Sequence, residues 1–351
     1  MENLIELKPF SKINLADSFF DSLKNDYKEF ETWFNKKSFD NSLAYILEKD
    51  NQIEAFLYLK VEDDYILDVV PNLPKAIRIK VGTFKVNPHR TRLGERFIKK
   101  IFDYTITKSA KQIYVTIFEK HQILISLFEK YGFVHVANKN SQNGTEKVLL
   151  KDFQIVRNDL FLDYPRFKIN SKKYLLSIYP EFHTRLFPDS ILNNEKFHVI
   201  EDVSHTNSIH KVYICAMDVS NLQKGDILII YRTKAKDDIG SAFHRSVVTT
   251  ICVVEEVKTK HNFNSFADYL SYCQQFSVFN QNELLEWYNK KTIFTVKLTY
   301  NAALQKRLTR GNLLTNMGFS DGHRWSFFEI NDNQFNQIIK EGKVDESLII
   351  N

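Results

Sequence analysis

Apolar residues recur at helical spacing between positions 13 and 35, where Phe19, Leu23, Tyr27 and Phe30 fall on one face and predict a helix. Two short strands are expected at Leu43–Leu47 and Ala55–Val61, joined by the polar turn Lys49–Gln52, and another at Asp64–Val69. Alternation of Ile77, Ile79 and Val81 predicts a strand over Ala76–Val86, ended by Pro88. Phe97, Ile98, Ile101, Phe102 and Ile106 share a face of a helix over Glu95–Ser109. A compact apolar strand at Gln112–Phe118 follows. A helix at Gln122–Tyr131 comes next, with Gly132 as its left-handed cap. Strands at Phe133–Ala137 and Lys147–Leu150, about the turn Asn140–Gly144, complete a mixed α/β set with a βαβ crossover at its centre.

Beyond residue 154 the rhythm changes. Residues 154–196 carry Pro165, Pro180 and Pro188 and read as irregular. Strands are expected at Lys211–Met217, Ile227–Tyr231, Ser246–Val257 and Thr292–Leu298, with helices at Ser265–Tyr272 and Gln281–Tyr288. The chain therefore divides into an α/β domain over 1–153, a linker over 154–169 and a β-rich domain over 170–351, which reads as a small pseudo-barrel.

Composition agrees with two globular domains. The chain has 351 residues, 43% hydrophobic and 14% aromatic, including 29 Phe. Cys215, Cys252 and Cys273 are far apart, so neither a disulfide framework nor a thiolate metal site is indicated. His205 and His210 lack an acid or Cys at ligand spacing, and no metal is expected. No long apolar run and no secretory pattern is visible, so the expectation is a reduced, cytoplasmic protein without a membrane partner. The net charge of +5 is modest, but eleven Lys or Arg fall between Lys75 and Lys111 against only Glu95 and Asp103. Such a stretch is either a solvated face or a phosphate site.

Within it, Val81–Phe102 runs from a strand through a basic turn into a helix starting near Gly94. A helix N-terminus offers unpaired N–H groups and positive dipole charge to a pyrophosphate. Two segments together, Thr91-Arg92-Leu93-Gly94-Glu95-Arg96 and Leu127-Phe128-Glu129-Lys130-Tyr131-Gly132-Phe133, resemble the pyrophosphate loop and the "LYEK-x-GF" signature of the GNAT N-acetyltransferase superfamily. The resemblance implies a GNAT fold over about 1–153 and acetyl-CoA as cofactor. It implies cofactor contacts from Phe84, Lys85, Val86, Arg90, Thr91, Arg92, Leu93, Gly94, Glu95, Arg96 and Phe128. Thr91 stands at the usual Arg/Gln position and Arg96 at the last Gly/Ala position. Phe128 stands where many members have a Tyr that protonates the departing thiolate. The implied reaction is direct attack of an amine on the thioester, with His121, Glu119 and Asp68 as candidate bases.

In the second half, the Lys224-Gly225-Asp226 turn entering the apolar strand that starts at Ile227 resembles PUA-like domains of the ASCH and EVE type, small pseudo-barrels that often bind RNA. Lys173–Leu192 supplies a first strand and helix. The GxKxxExR pattern of typical ASCH domains is absent. Arg232, Lys234, Arg245, Arg310 and Arg324 are candidate phosphate contacts, with Trp325 and Phe319 as stacking platforms. The leading expectation is an N-acetyltransferase acting on RNA or an RNA-bound group such as an aminoacyl-tRNA, as a modifying enzyme or a toxin-like inhibitor. The alternatives are a transferase for a protein or small amine, and a binding protein that has lost catalysis.

Overall fold

The computed structural model describes residues 5–87, 93–187, 209–322 and 324–351. They form two units divided between Asp163 and Tyr164.

In the first unit the order is β1 (Glu6–Pro9), α1 (Asp21–Asp26), α2 (Phe30–Phe39), β2 (Leu43–Lys49), β3 (Gln52–Ile66), β4 (Leu73–Val86), α3 (Leu93–Thr107), β5 (Gln112–Phe118), α4 (Gln122–Lys130), β6 (Val134–Ser141) and β7 (Gly144–Asp152). The sheet runs β1-β2-β3-β4-β5-β7-β6. Only β4 and β5 are parallel, because α3 carries the chain back between them. Asp50 and Asn51 both have positive φ, which suits the tight turn from β2 to β3. The strand expected at Asp64–Val69 is not separate. Its first residues prolong β3, since Asp64 and Ile66 still pair with Ala76 and Leu73. The helix expected over 13–35 is broken into a 3-10 turn at Ser18–Phe20, α1 and α2. Tyr27 ends α1 in an extended conformation.

Side chains of Phe10, Phe20, Phe30, Phe34 and Phe56 fill one face of the sheet, and most of their contacts are edge-on or tilted at 4.8–5.8 Å. Such pairs contribute about 0.5–1.5 kcal/mol each beyond simple burial. On the other face Phe84 meets Phe97 of α3 and Phe128 of α4. Gly132 has φ +84°, and a Cβ there would lie 2.2 Å from the Leu162 carbonyl oxygen, so only glycine closes α4.

The second unit contains β8 (Phe167–Lys168), β9 (Lys173–Ile178), α5 (Pro180–Leu186), β10 (His210–Cys215), β11 (Ile227–Arg232), α6 (Ala242–Arg245), β12 (Val247–Thr259), α7 (Phe266–Cys273), α8 (Gln281–Tyr288), β13 (Phe294–Thr309), α9 (Arg310–Asn316), β14 (Phe327–Glu329), α10 (Asp332–Glu341) and β15 (Ile349–Ile350). Its sheet has the order β10-β13-β12-β11-β9-β14, with β9 and β11 parallel. Register shifts bend the long β12–β13 pair. β8 and β15 form a separate parallel pair. The Lys224-Gly225-Asp226 turn works as its residues suggest. Gly225 takes φ +94°, and the Asp226 carboxylate accepts the Gln223 N–H at 2.8 Å. Asn280 and Glu283 cap α8 reciprocally, which is why its start was readable. No helix among the described residues is long and apolar enough to cross a membrane.

Candidate functional site

The parallel ladder between β4 and β5 covers only Arg78–Val81 against Gln112–Val115. Past Val81, Gly82 is an extra residue against β3, because Tyr58 pairs with Thr83 and Leu59 with Val81. The bulge twists the end of β4 away from β5. Thr83–Val86 stay paired to β3, and Thr116–Phe118 stay paired to β7. The two strand ends thus part, leaving an opening at the end of the sheet from which β4 leads on to α3.

One segment, Phe19–Tyr27, is fastened to both sides of this opening. On the β4 side the Lys85 ammonium bonds the Phe19 carbonyl and, at 2.6 Å, the Ser22 hydroxyl. Burial lowers the Lys85 ammonium below its ordinary pKa, against the pull of Asp21, Asp26 and Asp17. On the β5 side Asp26 takes Lys120 and His121, with His121 Nε2 at 3.0 Å. The Tyr27 hydroxyl donates to Glu146 at 2.7 Å, and its ring lies on Phe118.

His121 sits at this mouth, 44% exposed, with a carboxylate to orient its ring. The other two candidate bases fare differently. Glu119 is exposed and ion-paired to Lys147 at 2.8 Å, and the lysine's hydrogen bond and charge lower its carboxyl below the ordinary value. Asp68 is not on a strand but in the connection between β3 and β4, ion-paired to Lys139, the residue opposite Glu146 on β6. Burial would raise the Asp68 carboxyl, but Lys139 at 2.7 Å and Lys80 bring it below its ordinary value.

Of the expected cofactor contacts, Arg90, Thr91 and Arg92 lie outside the described residues. Lys85, Val86 and Gly94 are partly exposed near the opening. Phe128 is fully buried against Phe84 and Phe133, so it fills core and presents no surface to a ligand. Phe84 and Leu93 are also buried. Glu95 is buried in an ion pair with Lys130 at 2.6 Å, and Arg96 is buried too. A Cβ on Gly94 would come within 2.8 Å of Leu127, so this glycine also lets α3 approach α4.

Asp26, Tyr27 and Glu146 were not anticipated as site residues. Glu146 did leave a trace. It is in phase with the apolar Val148 and Leu150 along β7, and an acid on the apolar face of a strand is out of place unless it has work there.

In the second unit the basic candidates gather at one end of the sheet. Ser246 accepts the Lys234 N–H on its hydroxyl at 2.8 Å and the Arg310 N–H on its carbonyl at 2.9 Å, and Arg245 precedes it. Arg245 and Arg324 are exposed. Arg232, at the end of β11, is only 2% exposed, so it is a buried structural residue and not a surface phosphate contact. Arg310 ion-pairs with Asp321 and lies 4.6 Å over the Trp325 ring. Trp325 is packed between Tyr231, Phe319 and Phe328, and neither it nor Phe319 offers an open face for a base.

No protein-family model and no curated protein matches this chain. Solved structures similar to it include N-acetyltransferases of the GNAT fold and ASCH proteins. The ASCH protein from Zymomonas mobilis is 8% identical with a TM-score of 0.32, covering 48% of this chain and 94% of its own. The Campylobacter jejuni N-acetyltransferase PseH, solved with acetyl coenzyme A, is 14% identical with a TM-score of 0.28, covering 42% and 99%. The IAA acetyltransferase from Bacillus cereus is 11% identical with a TM-score of 0.31, covering 42% and 98%.

Proposed function

We propose that the first unit is an acetyl-CoA-dependent N-acetyltransferase. The observation that carries this reading is the parting of β4 and β5 beyond Val81 and Val115, at the end of the sheet from which β4 leads on to α3. Strand edges released from pairing offer N–H and C=O groups to an extended, amide-bearing ligand. The first turn of α3, with Gly94 partly exposed, offers unpaired N–H groups to its diphosphate. The bound cofactor supplies an activated acetyl thioester. The protein's part is to hold an amine beside it and to remove a proton. His121 takes that proton, and Asp26 is its positioning residue, holding the imidazole in one orientation and stabilising it once charged. Phe128 cannot supply an acid, so in this reading His121 also returns a proton to the leaving sulfur.

Incubation with labelled acetyl-CoA and cell extract tests this directly, by asking whether label enters protein, RNA or small amines. His121→Gln is expected to lower turnover at least a hundredfold, and Asp26→Asn to lower it less, with both variants still binding acetyl-CoA. No transfer and no acetyl-CoA binding would refute the assignment.

A second reading concerns the second unit, and Lys234, Arg245 and Arg324 at one end of its sheet support it. It is an RNA-binding module, and the acceptor amine is then carried on RNA. Binding of tRNA in a gel shift, weakening steeply with salt, is the expected result. No binding at low salt would leave a protein or small amine as the acceptor.

A further inference from the structure

Tyr27 and Glu146 belong to neither sequence motif, yet they stand together at the opening. Glu146 is on β7 opposite Phe118, the last residue of β5, and is 4% exposed. Its carboxylate accepts the Tyr27 hydroxyl at 2.7 Å, and no ion pair reaches it among the described residues. A charge so far withdrawn from water is costly unless a cation or several donors meet it, and one neutral phenol compensates little. The rings of Tyr27 and Phe118 lie tilted on one another with centroids 5.2 Å apart, giving aromatic surface of the kind that attracts a cation. Asp26 and Glu29 flank Tyr27 and add negative potential.

Tyr27 reaches this position because the chain leaves helical geometry there, at φ −131° and ψ 104°. Its hydroxyl, donating to a carboxylate, keeps an oxygen lone pair made more basic by its partner. Burial first, then the Glu146 charge, hold the phenol above its ordinary pKa, so it passes a proton on without ionising.

Resting on the acetyltransferase reading, the geometry points to Tyr27 and Glu146 as the acceptor-binding pair, which receives the acceptor as a protonated primary amine and takes its first proton. An ammonium N–H docks on Tyr27 Oη. Its proton moves to that oxygen as the phenolic proton moves to Glu146. The products are a neutral amine with a free lone pair, an unchanged neutral phenol and a carboxylic acid, so charge and protons balance. Tyr27 is the catalytic residue that touches the amine, and Glu146 sets the preference for a cation.

Calorimetric titration of the full chain at neutral pH with 1,5-diaminopentane, and with 1,5-pentanediol as its uncharged counterpart, tests the pair. The diamine is expected to bind and the diol not. Glu146→Gln keeps an acceptor for the Tyr27 hydroxyl but removes the charge, and it is expected to weaken diamine binding at least tenfold. Tyr27→Phe is expected to do the same, and thermal melts show which variants are folded. Failure of the diamine to bind, equal affinity for both probes, or unchanged affinity in either folded variant would overturn the pairing. Acetyl-CoA titrated in parallel separates the two claims. Glu146-dependent amine binding without acetyl-CoA binding refutes the transferase and keeps the amine pair. Acetyl-CoA binding without amine selectivity refutes the pair alone.

Discussion

Acid should unfold the second unit through one buried imidazole. His183 on α5 is 0% exposed, and its Nε2 lies 2.7 Å from the Thr249 hydroxyl. Nδ1 has no hydrogen-bond partner among the described residues. Burial, reinforced by the charges of Arg232 and Arg307, holds the His183 pKa down to about 3, against an ordinary 6.5. Protonation would place a charge and an N–H without an acceptor in that site. Below pH 6.5 the unfolded chain therefore binds a proton that the folded chain refuses. Stability contributed by the neutral imidazole is fully present above pH 6.5 and falls as pH is lowered toward 3. The slope is about 1.4 kcal/mol per pH unit. At pH 5 the loss is about 2 kcal/mol, or about 4–8 °C in melting temperature for a unit of this size. Other groups titrate in the same range, so the comparison is with His183→Gln, which cannot take a proton there. Urea unfolding of both proteins at pH 7 and pH 5 gives the difference. The wild type should lose about 2 kcal/mol more than the variant. An equal pH response in the two would show that His183 protonates freely in the fold, and the reasoning would fail.

Gly94→Asp should abolish acetyl-CoA binding by calorimetry, because it brings a negative charge to the first turn of α3 and a Cβ 2.8 Å from Leu127. Gly94→Ala meets only the Leu127 contact and should retain binding with a melting temperature lower by a few degrees, so equal loss in both variants would assign Gly94 to helix packing alone. Replacing Lys234, Arg245 and Arg324 together should weaken tRNA binding and flatten its salt dependence without changing the melting temperature. Arg232→Ala should instead lower the melting temperature, since Arg232 is buried; a gel shift and a melt on both variants separate the roles. Fragments 1–163 and 164–351 should each give a cooperative melt, and failure of both would place the boundary elsewhere.

Much of the secondary structure was legible because its causes are local. β5 and α8 run between the residues expected, Gln112–Phe118 and Gln281–Tyr288. A compact apolar run broken only by Thr116 marks the first, and a reciprocal cap marks the second. Gly132 and Gly225 announced backbone conformations that other residues rarely adopt. The broken 13–35 region was not legible, because apolar spacing reports which residues are buried and not whether one helix or a 3-10 turn and two helices bury them. Nor was the burial of Phe128, Glu95, Arg96 and Arg232, since side chains that read as ligand contacts in a motif also serve as packing and ion pairs. The opening between β4 and β5 depends on where a parallel ladder stops, and a single extra residue at Gly82 decides that. The groups around it meet only in three dimensions. Asp26 and His121 are 95 residues apart, and Tyr27 and Glu146 are 119 apart. Neither pair has a spacing that a linear pattern reveals, because sheet pairing and the path of Phe19–Tyr27 across the strand ends bring them together. Sequence thus determined which segments become strands and helices, through local backbone preference and apolar period. Tertiary structure alone decided which charges share a low-dielectric neighbourhood, and the candidate chemistry depends on that neighbourhood.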